Sequence, residues 1–174
     1  MIGRPSHEAA RYLVDALCLP ISPDDYLERR REHLARLFRH SPELPGAREF
    51  TGRMASRGLP QAIATSSERA LYEIKISDHQ RWFSLFGTVV TGDHGAVAEG
   101  KPAPDIFLVA ASELGVEPGR CIVFEDSPAG VEAALRAGMR VVAIPDPAMP
   151  REPYSGADLV VGGFAELELE KLGF

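Results

Sequence analysis

The sequence predicts an α/β protein: a mainly parallel sheet with helices on both of its faces. Three observations carry this. From residue 47 onward, short apolar runs alternate with helix-length amphipathic stretches, and parallel strands need such a crossover between them. Helical stretches close on glycines at Gly58, Gly115 and Gly138, where a left-handed residue ends a helix at little cost. Polar residues follow the apolar runs directly, at Thr65-Ser66-Ser67, Asp93, Glu125-Asp126 and Asp146, and sheets of this class bind ligands beyond the carboxyl ends of their strands.

The elements follow in order. Ser6 stands before a helical pattern with Ala10, Leu13, Val14 and Leu17 on one face, and Pro20 ends it. Ser22-Pro23-Asp24-Asp25 is a helix start: a capping hydroxyl, a first-turn proline, and acids at the positive end of the dipole. Leu27, Leu34, Leu37 and Phe38 continue that helix, and Pro42-Glu-Leu-Pro-Gly46 breaks the chain into a helical part, 1–42, and an alternating part, 43–174. In the second part the pattern predicts a helix over Ala47–Arg57, a strand over Leu59–Ala64, a helix over Glu68–Ile76 and a helical piece over His79–Phe86. A strand over Thr88–Thr91 and a helix over Pro104–Leu114 come next. The last predicted elements are a strand over Cys121–Phe124, a helix over Pro128–Ala137, and strands over Val141–Ile144 and Leu159–Val161.

Composition narrows the function. The 174 residues suffice for one sizeable core, or a core with a small accessory unit. A formal charge of −6 disfavours nucleic acid and acidic membrane surfaces as partners, so an anionic ligand needs a local positive site. Cys18 and Cys121 are the two cysteines, and no Cys-x-x-Cys occurs; neither zinc nor a disulfide framework is indicated. No apolar run approaches membrane-spanning length and no signal-peptide pattern follows Met1. The expectation is a cytoplasmic protein with no membrane partner.

Three sets of strand-end residues suit phosphate chemistry. Thr65-Ser66-Ser67 reads either as simple capping or as an anion site of hydroxyls and free backbone N–H groups. Lys101, in Gly100-Lys-Pro-Ala-Pro104, is either a solvated loop lysine or an ammonium held in place by stiff neighbours to neutralise phosphate. Glu125 and Asp126 are either acids favoured near a helix start or oxygen ligands for Mg²⁺.

Taken together, Ala64-Thr-Ser-Ser67, Gly100-Lys-Pro-Ala-Pro-Asp-Ile-Phe107 and Val123-Phe-Glu-Asp-Ser-Pro-Ala-Gly130 resemble the second, third and fourth motifs of the haloacid dehalogenase-like hydrolases. Ile74-Lys-Ile-Ser-Asp-His79, Phe83-Ser-Leu-Phe86 and Gly130–Met139 look like the subgroup with a helical cap, which includes sugar-phosphate phosphatases, pseudouridine-5′-phosphatase and beta-phosphoglucomutase. The resemblance implies a Rossmann-like core over 43–174 with a partial helical cap over 1–42. It implies a Mg²⁺-dependent phosphomonoesterase, monomeric at full length, acting on a small phosphorylated metabolite such as a sugar or nucleoside phosphate. By position, Thr65 would bond the transferring phosphoryl group, with Ser66 nearby. Lys101 would hold the phosphate and the nucleophile's carboxylate together. Glu125 and Asp126 would hold Mg²⁺. Arg4 and His7 would face the substrate from the cap.

One family element is missing. The first motif is Asp-x-Asp on a mid-sheet strand, and no Asp-x-Asp occurs in this sequence. Covalent phosphoryl transfer needs an in-line nucleophile. By analogy the missing strand lies between those ending at Ala64 and Phe124, whose backbone groups would be left without partners in the core. The expectation is a truncated form, inactive as a phosphatase and poorly stable unless another segment or subunit repairs its sheet. A short form that binds phosphorylated ligands or a partner without turnover is the alternative, and a phosphosugar mutase is a second. Gly95-Ala-Val-Ala-Glu-Gly-Lys101 also satisfies the start of a P-loop. Pro102 then stands where a hydroxyl must reach Mg²⁺ and removes a cradle N–H, which argues against nucleotide hydrolysis. A Glu-Asp metal pair argues against a dehalogenase, whose reaction needs no metal.

Overall fold

The computed structural model describes residues 6–168. Its first two helices, α1 (Ser6–Ala16) and α2 (Pro23–Phe38), pack on each other. The start of α2 is a reciprocal cap. The Asp25 N–H donates to Ser22 Oγ at 3.0 Å, and the Ser22 N–H donates to the Asp25 carboxylate at 3.4 Å, with Pro23 in the first turn, so two otherwise orphaned N–H groups are satisfied. No residue of α2 is buried. It is a solvated helix that depends on its cap and on α1.

After α3 (Ala47–Ser56) the chain alternates as the pattern predicts, with small shifts at the boundaries. The first strand, β1, runs Ala62–Thr65 rather than from Leu59. Pro60 has no N–H to give a ladder, and Leu59 instead packs under α3. Strand β3 runs Ile122–Glu125 rather than from Cys121. The Cys121 N–H closes a tight turn on Pro118 O at 2.9 Å, which moves the strand one residue on and places Glu125 inside it. The other elements are α4 (Arg69–Lys75), α5 (Gln80–Phe83), β2 (Thr88–Thr91), α6 (Asp105–Leu114), α7 (Pro128–Arg136), β4 (Arg140–Ala143) and β5 (Leu159–Val160).

Every strand pairing is parallel, and side chains alternate between two cores. Val123, Val141 and Ala143 point into a core built by α6 and α7. Phe124, Val142 and Ile144 point the other way, into a core with Phe50 and Met54 of α3. Helices therefore cover both faces, as a parallel sheet requires.

The sheet is divided in two. Strands β1 and β2 form one piece, and β3, β4 and β5 form the other. The α6–α7 core runs beneath both pieces, since Ala62, Ala64 and Val90 pack in it with Val123 and Val141. Between β1 and β3 lies a cavity of about 810 Å³ lined by every residue of both strands. Among the described residues, the slot-facing backbone groups of β1 and β3 have no strand partner. The division falls where the resemblance implies a missing strand. No described helix is long and apolar enough to cross a membrane.

Candidate phosphate-binding site

The site forms where β1 and β3 end, at one mouth of the cavity. Thr65 is the last residue of β1, and its Oγ1 accepts the Ser67 N–H at 3.2 Å. The loop after it is held from β2. The Gly92 N–H donates to Ser67 O at 3.0 Å, and the Arg69 N–H donates to Asp93 Oδ1 at 3.0 Å. Gly92 must be glycine for this approach, because a Cβ there would stand 2.5 Å from Ser66 O. Ser66 is exposed beside Thr65, while Ser67 turns its hydroxyl to Lys75. Neither serine caps α4, whose start at Glu68 has no side-chain cap. Of the two readings of this tripeptide, capping is the one the structure removes.

Lys101 is not a solvated lysine. Its side chain is 11% exposed and forms an ion pair with Glu125, 7% exposed. The ammonium also donates to Ala64 O at 3.3 Å and lies 4.8 Å above the Phe107 ring. One cation thus ties the end of β1 to the end of β3 across the slot. The Lys101–Pro102 peptide bond is cis, and the loop before it is clamped by Asp105, whose Oδ2 accepts the N–H groups of Ala98 at 3.1 Å and Glu99 at 3.0 Å.

Glu125 is the organiser of the opposite wall. Its Oε2 accepts from the Asp126 N–H at 2.9 Å, the Ser127 N–H at 2.9 Å and the Ser127 hydroxyl at 3.0 Å. Ser127 in turn caps α7 by accepting the Gly130 N–H at 3.1 Å. Gly130 leaves room for the carboxylate, which a Cβ there would overlap. Burial works to raise the Glu125 pKa, but the Lys101 charge and the bonds from Lys101 and Ser127 together hold it below the usual carboxylate range. Asp126 moves the other way. Desolvation, then the neighbouring Glu125 charge, raise its pKa, although part of the residue is open to solvent.

This arrangement narrows the metal reading. Among the described residues, no three metal-ligating side chains come together. Both Glu125 oxygens already have donors, so Glu125 holds the loop that presents Asp126, the more exposed of the two acids. Mg²⁺ is commonly held by one or two carboxylates, with substrate phosphate and water completing the shell, and Asp126 fits that smaller role. Among the described residues, the carboxylate that Lys101 pairs with is Glu125.

Two further residues were not singled out from the sequence. Tyr154, fully buried, donates its hydroxyl to Asp126 O at 2.7 Å and pins the acidic loop from beneath. No spacing signal marks it, because its segment has neither helical nor strand periodicity. Lys75, at the end of α4, donates to Ser67 Oγ at 2.9 Å and lies 4.7 Å over the Phe38 ring. In the sequence it lies within Ile74-Lys-Ile-Ser-Asp-His79, a stretch that carries the resemblance with no role given to the lysine. Arg4 lies outside the described residues. His7 is in the first turn of α1, and its side chain lies outside what is described. Asp93 holds the start of α4 from across the chain, and Asp146 Oδ1 accepts the Ala148 N–H at 2.8 Å in a local turn.

Comparison with known proteins adds a family. The family model for haloacid dehalogenase-like hydrolases matches residues 2–138. A probable pseudouridine-5′-phosphatase of Drosophila melanogaster is 40% identical over 99% of this chain, which covers 76% of that protein. The mitochondrial (DL)-glycerol-3-phosphatase 1 of Arabidopsis thaliana is 37% identical over 99% of the chain, here covering 60% of the relative. Among solved structures, a candidate beta-phosphoglucomutase from Thermotoga maritima superposes with a TM-score of 0.84 at 29% identity, over 99% of this chain and 81% of the other.

Proposed function

The chain belongs to the haloacid dehalogenase-like hydrolases, and on that premise we propose that it carries the phosphate-binding half of a phosphomonoesterase site for a small phosphorylated metabolite. One observation carries the reading. The Lys101 ammonium is nearly buried at the point where β1 and β3 end, bridging Glu125 and the carbonyl of Ala64, the residue before Thr65. A cation and a hydroxyl converging at strand ends, in a chain of net negative charge, suit a phosphate dianion. The named relatives, a pseudouridine-5′-phosphatase and a glycerol-3-phosphatase, support sugar, polyol or nucleoside phosphates as the substrate class.

In this reading Thr65 and Lys101 bind the phosphoryl oxygens, with Ser66 at the rim. Asp126 holds Mg²⁺ together with the substrate phosphate, and Glu125 orients the loop that presents Asp126. The bound cation would supply charge neutralisation at phosphate oxygens. Helices α1 and α2 belong to a helical cap. The nucleophile is the group no residue here provides: no Asp-x-Asp occurs, and the slot between β1 and β3 is where a strand bearing one would lie. The 174-residue polypeptide is therefore a binder without turnover until a strand from another segment or subunit enters the slot.

The test is phosphate release from glycerol 3-phosphate and pseudouridine 5′-phosphate with Mg²⁺, with and without a synthetic apolar strand peptide ending in Asp-x-Asp. No release without the peptide and release with it is the expected result. Release without it overturns the assignment of a missing nucleophile. A peptide that binds and yields no release from any phosphate ester overturns the phosphatase reading.

A further inference from the structure

Lys75 has an environment that helix stability does not explain. A lysine in the last turn of a helix normally reaches towards the free carbonyls at that end. Lys75 runs the other way, back along α4 to Ser67, eight residues earlier in the chain, because helical side chains lean towards the N-terminus. That direction brings its ammonium to the carboxyl end of β1, where the phosphate site begins. It lines the same cavity as Thr65 and Glu125.

Burial lowers the Lys75 pKa and the Asp126 charge works only partly against it. The side chain is half-buried, and among the described residues no carboxylate forms an ion pair with it. Its contacts are the Ser67 hydroxyl at 2.9 Å and the Phe38 ring at 4.7 Å. An ammonium has three donors, and a neutral hydroxyl takes one while the aromatic face covers one side. The remaining side is open to the cavity at the junction of α2, which contributes Phe38, and α4. A half-buried cation with a free donor at such a junction is matched by an anionic group of a ligand. Ser67 Oγ holds the ammonium in place, and its own N–H is bonded to Thr65 Oγ1 at 3.2 Å, so the two anion points share one rigid loop.

We infer that Lys75, held by Ser67 and Phe38, is a specificity-determining residue that binds a second anionic group of the substrate, distinct from the phosphate bound at Thr65 and Lys101. The inference rests on the phosphate-site reading above. The substrate class it selects is a phosphorylated small molecule with a carboxylate or second phosphate at its far end. Phosphorylated polyols with only hydroxyls there are the poorer ligands.

The experiment is isothermal titration of the full 174-residue chain with 3-phosphoglycerate and with glycerol 3-phosphate, which differ in having a carboxylate or a hydroxymethyl group away from the phosphate. Lys75→Met, which keeps the stem and removes the charge, and Lys75→Arg, which keeps the charge, are titrated alongside, with thermal melts to confirm folding. The wild type is expected to prefer 3-phosphoglycerate by roughly tenfold, the scale of one charge-assisted hydrogen bond. Lys75→Met should bring the ratio to about twofold or less, and Lys75→Arg should keep most of it. A wild type that binds both equally overturns the second point and leaves the phosphate site standing. Equal weakening of both ligands by Lys75→Met overturns the inference too, and assigns Lys75 to support of the Thr65 loop. A wild type that binds neither ligand overturns the phosphate-site reading together with the inference.

Discussion

The two pieces of the parallel sheet differ in how much of each strand the protein covers. In the three-stranded piece, β4 has partners on both sides and helices on both faces; Val141, Val142 and Ala143 are at most 2% exposed. In the two-stranded piece, all four residues of β1 remain partly exposed, although α6 packs against it. The difference lies in the slot. One edge of β1 has a ladder to β2 and the other has none, whereas β4 is laddered on both. The same slot has consequences for the site. Lys101 and Glu125 form the bridge that ties the edges of the two pieces at their carboxyl ends, so a binding element is also a structural one.

Breaking that bridge gives the largest expected effect. Lys101→Met leaves Glu125 buried with no counter-charge and should cost about 3–5 kcal/mol of unfolding free energy, together with loss of phosphate-ester binding. Denaturant titration reads the first and calorimetry the second. Glu125→Gln keeps the shape, removes the charge, and should lose less stability than Lys101→Met.

Truncating one side chain in each piece sharpens the contrast. Val141→Ala in β4 opens a void in a close-packed core and should cost about 2 kcal/mol. Ile63→Ala in β1 borders space that is already open and should cost about 1 kcal/mol or less. Equal costs from chemical denaturation would mean the slot is closed in solution. Amide exchange provides a second reading of the same contrast, with β1 amides exchanging faster than those of β4.

Tyr154→Phe should cost no more than Val141→Ala. It removes the hydroxyl bonded to Asp126 O, leaving a buried carbonyl without its partner, at about 1–2 kcal/mol. Because the lost bond fixes the Asp126 loop, Mg²⁺ affinity measured by calorimetry should weaken as well. Unchanged Mg²⁺ binding in Tyr154→Phe would separate Tyr154 from the metal reading.

The smallest effect concerns pH and lies far from the slot. The Ser22 side-chain and backbone hydrogen bonds lower the Asp25 pKa from its ordinary 3.8. A depressed carboxylate contributes stability that is present above its unfolded pKa and lost as pH falls through the folded one. Helix α2 should therefore lose some helical circular dichroism below about pH 3.8, and Asp25→Asn should remove that step.

Much of this was legible in the sequence, and particular residues show why. The Ser22 cap, the glycine stops at Gly58, Gly115 and Gly138, and the acidic pair after an apolar run are local signals, and each stands where its chemistry predicts. The division of the sheet was legible by resemblance, since the absent strand had named neighbours. Strand ends were shifted at Leu59 and Cys121 because a proline and a tight turn outweigh apolarity. Partnerships across space were not legible. No local pattern pairs Glu125 with Lys101, one of the groups that donate to its oxygens along with Asp126 and Ser127. Tyr154 reaches Asp126 from 28 residues away, a contact that no periodicity encodes.

The most direct test of the account follows ³¹P resonances of glycerol 3-phosphate mixed with this chain and Mg²⁺. The account predicts broadening or a shift of the ester signal that disappears in Lys101→Met, with no inorganic phosphate signal growing over hours. An ester signal untouched by the wild-type chain, or a growing inorganic phosphate signal that requires Lys101, would contradict it.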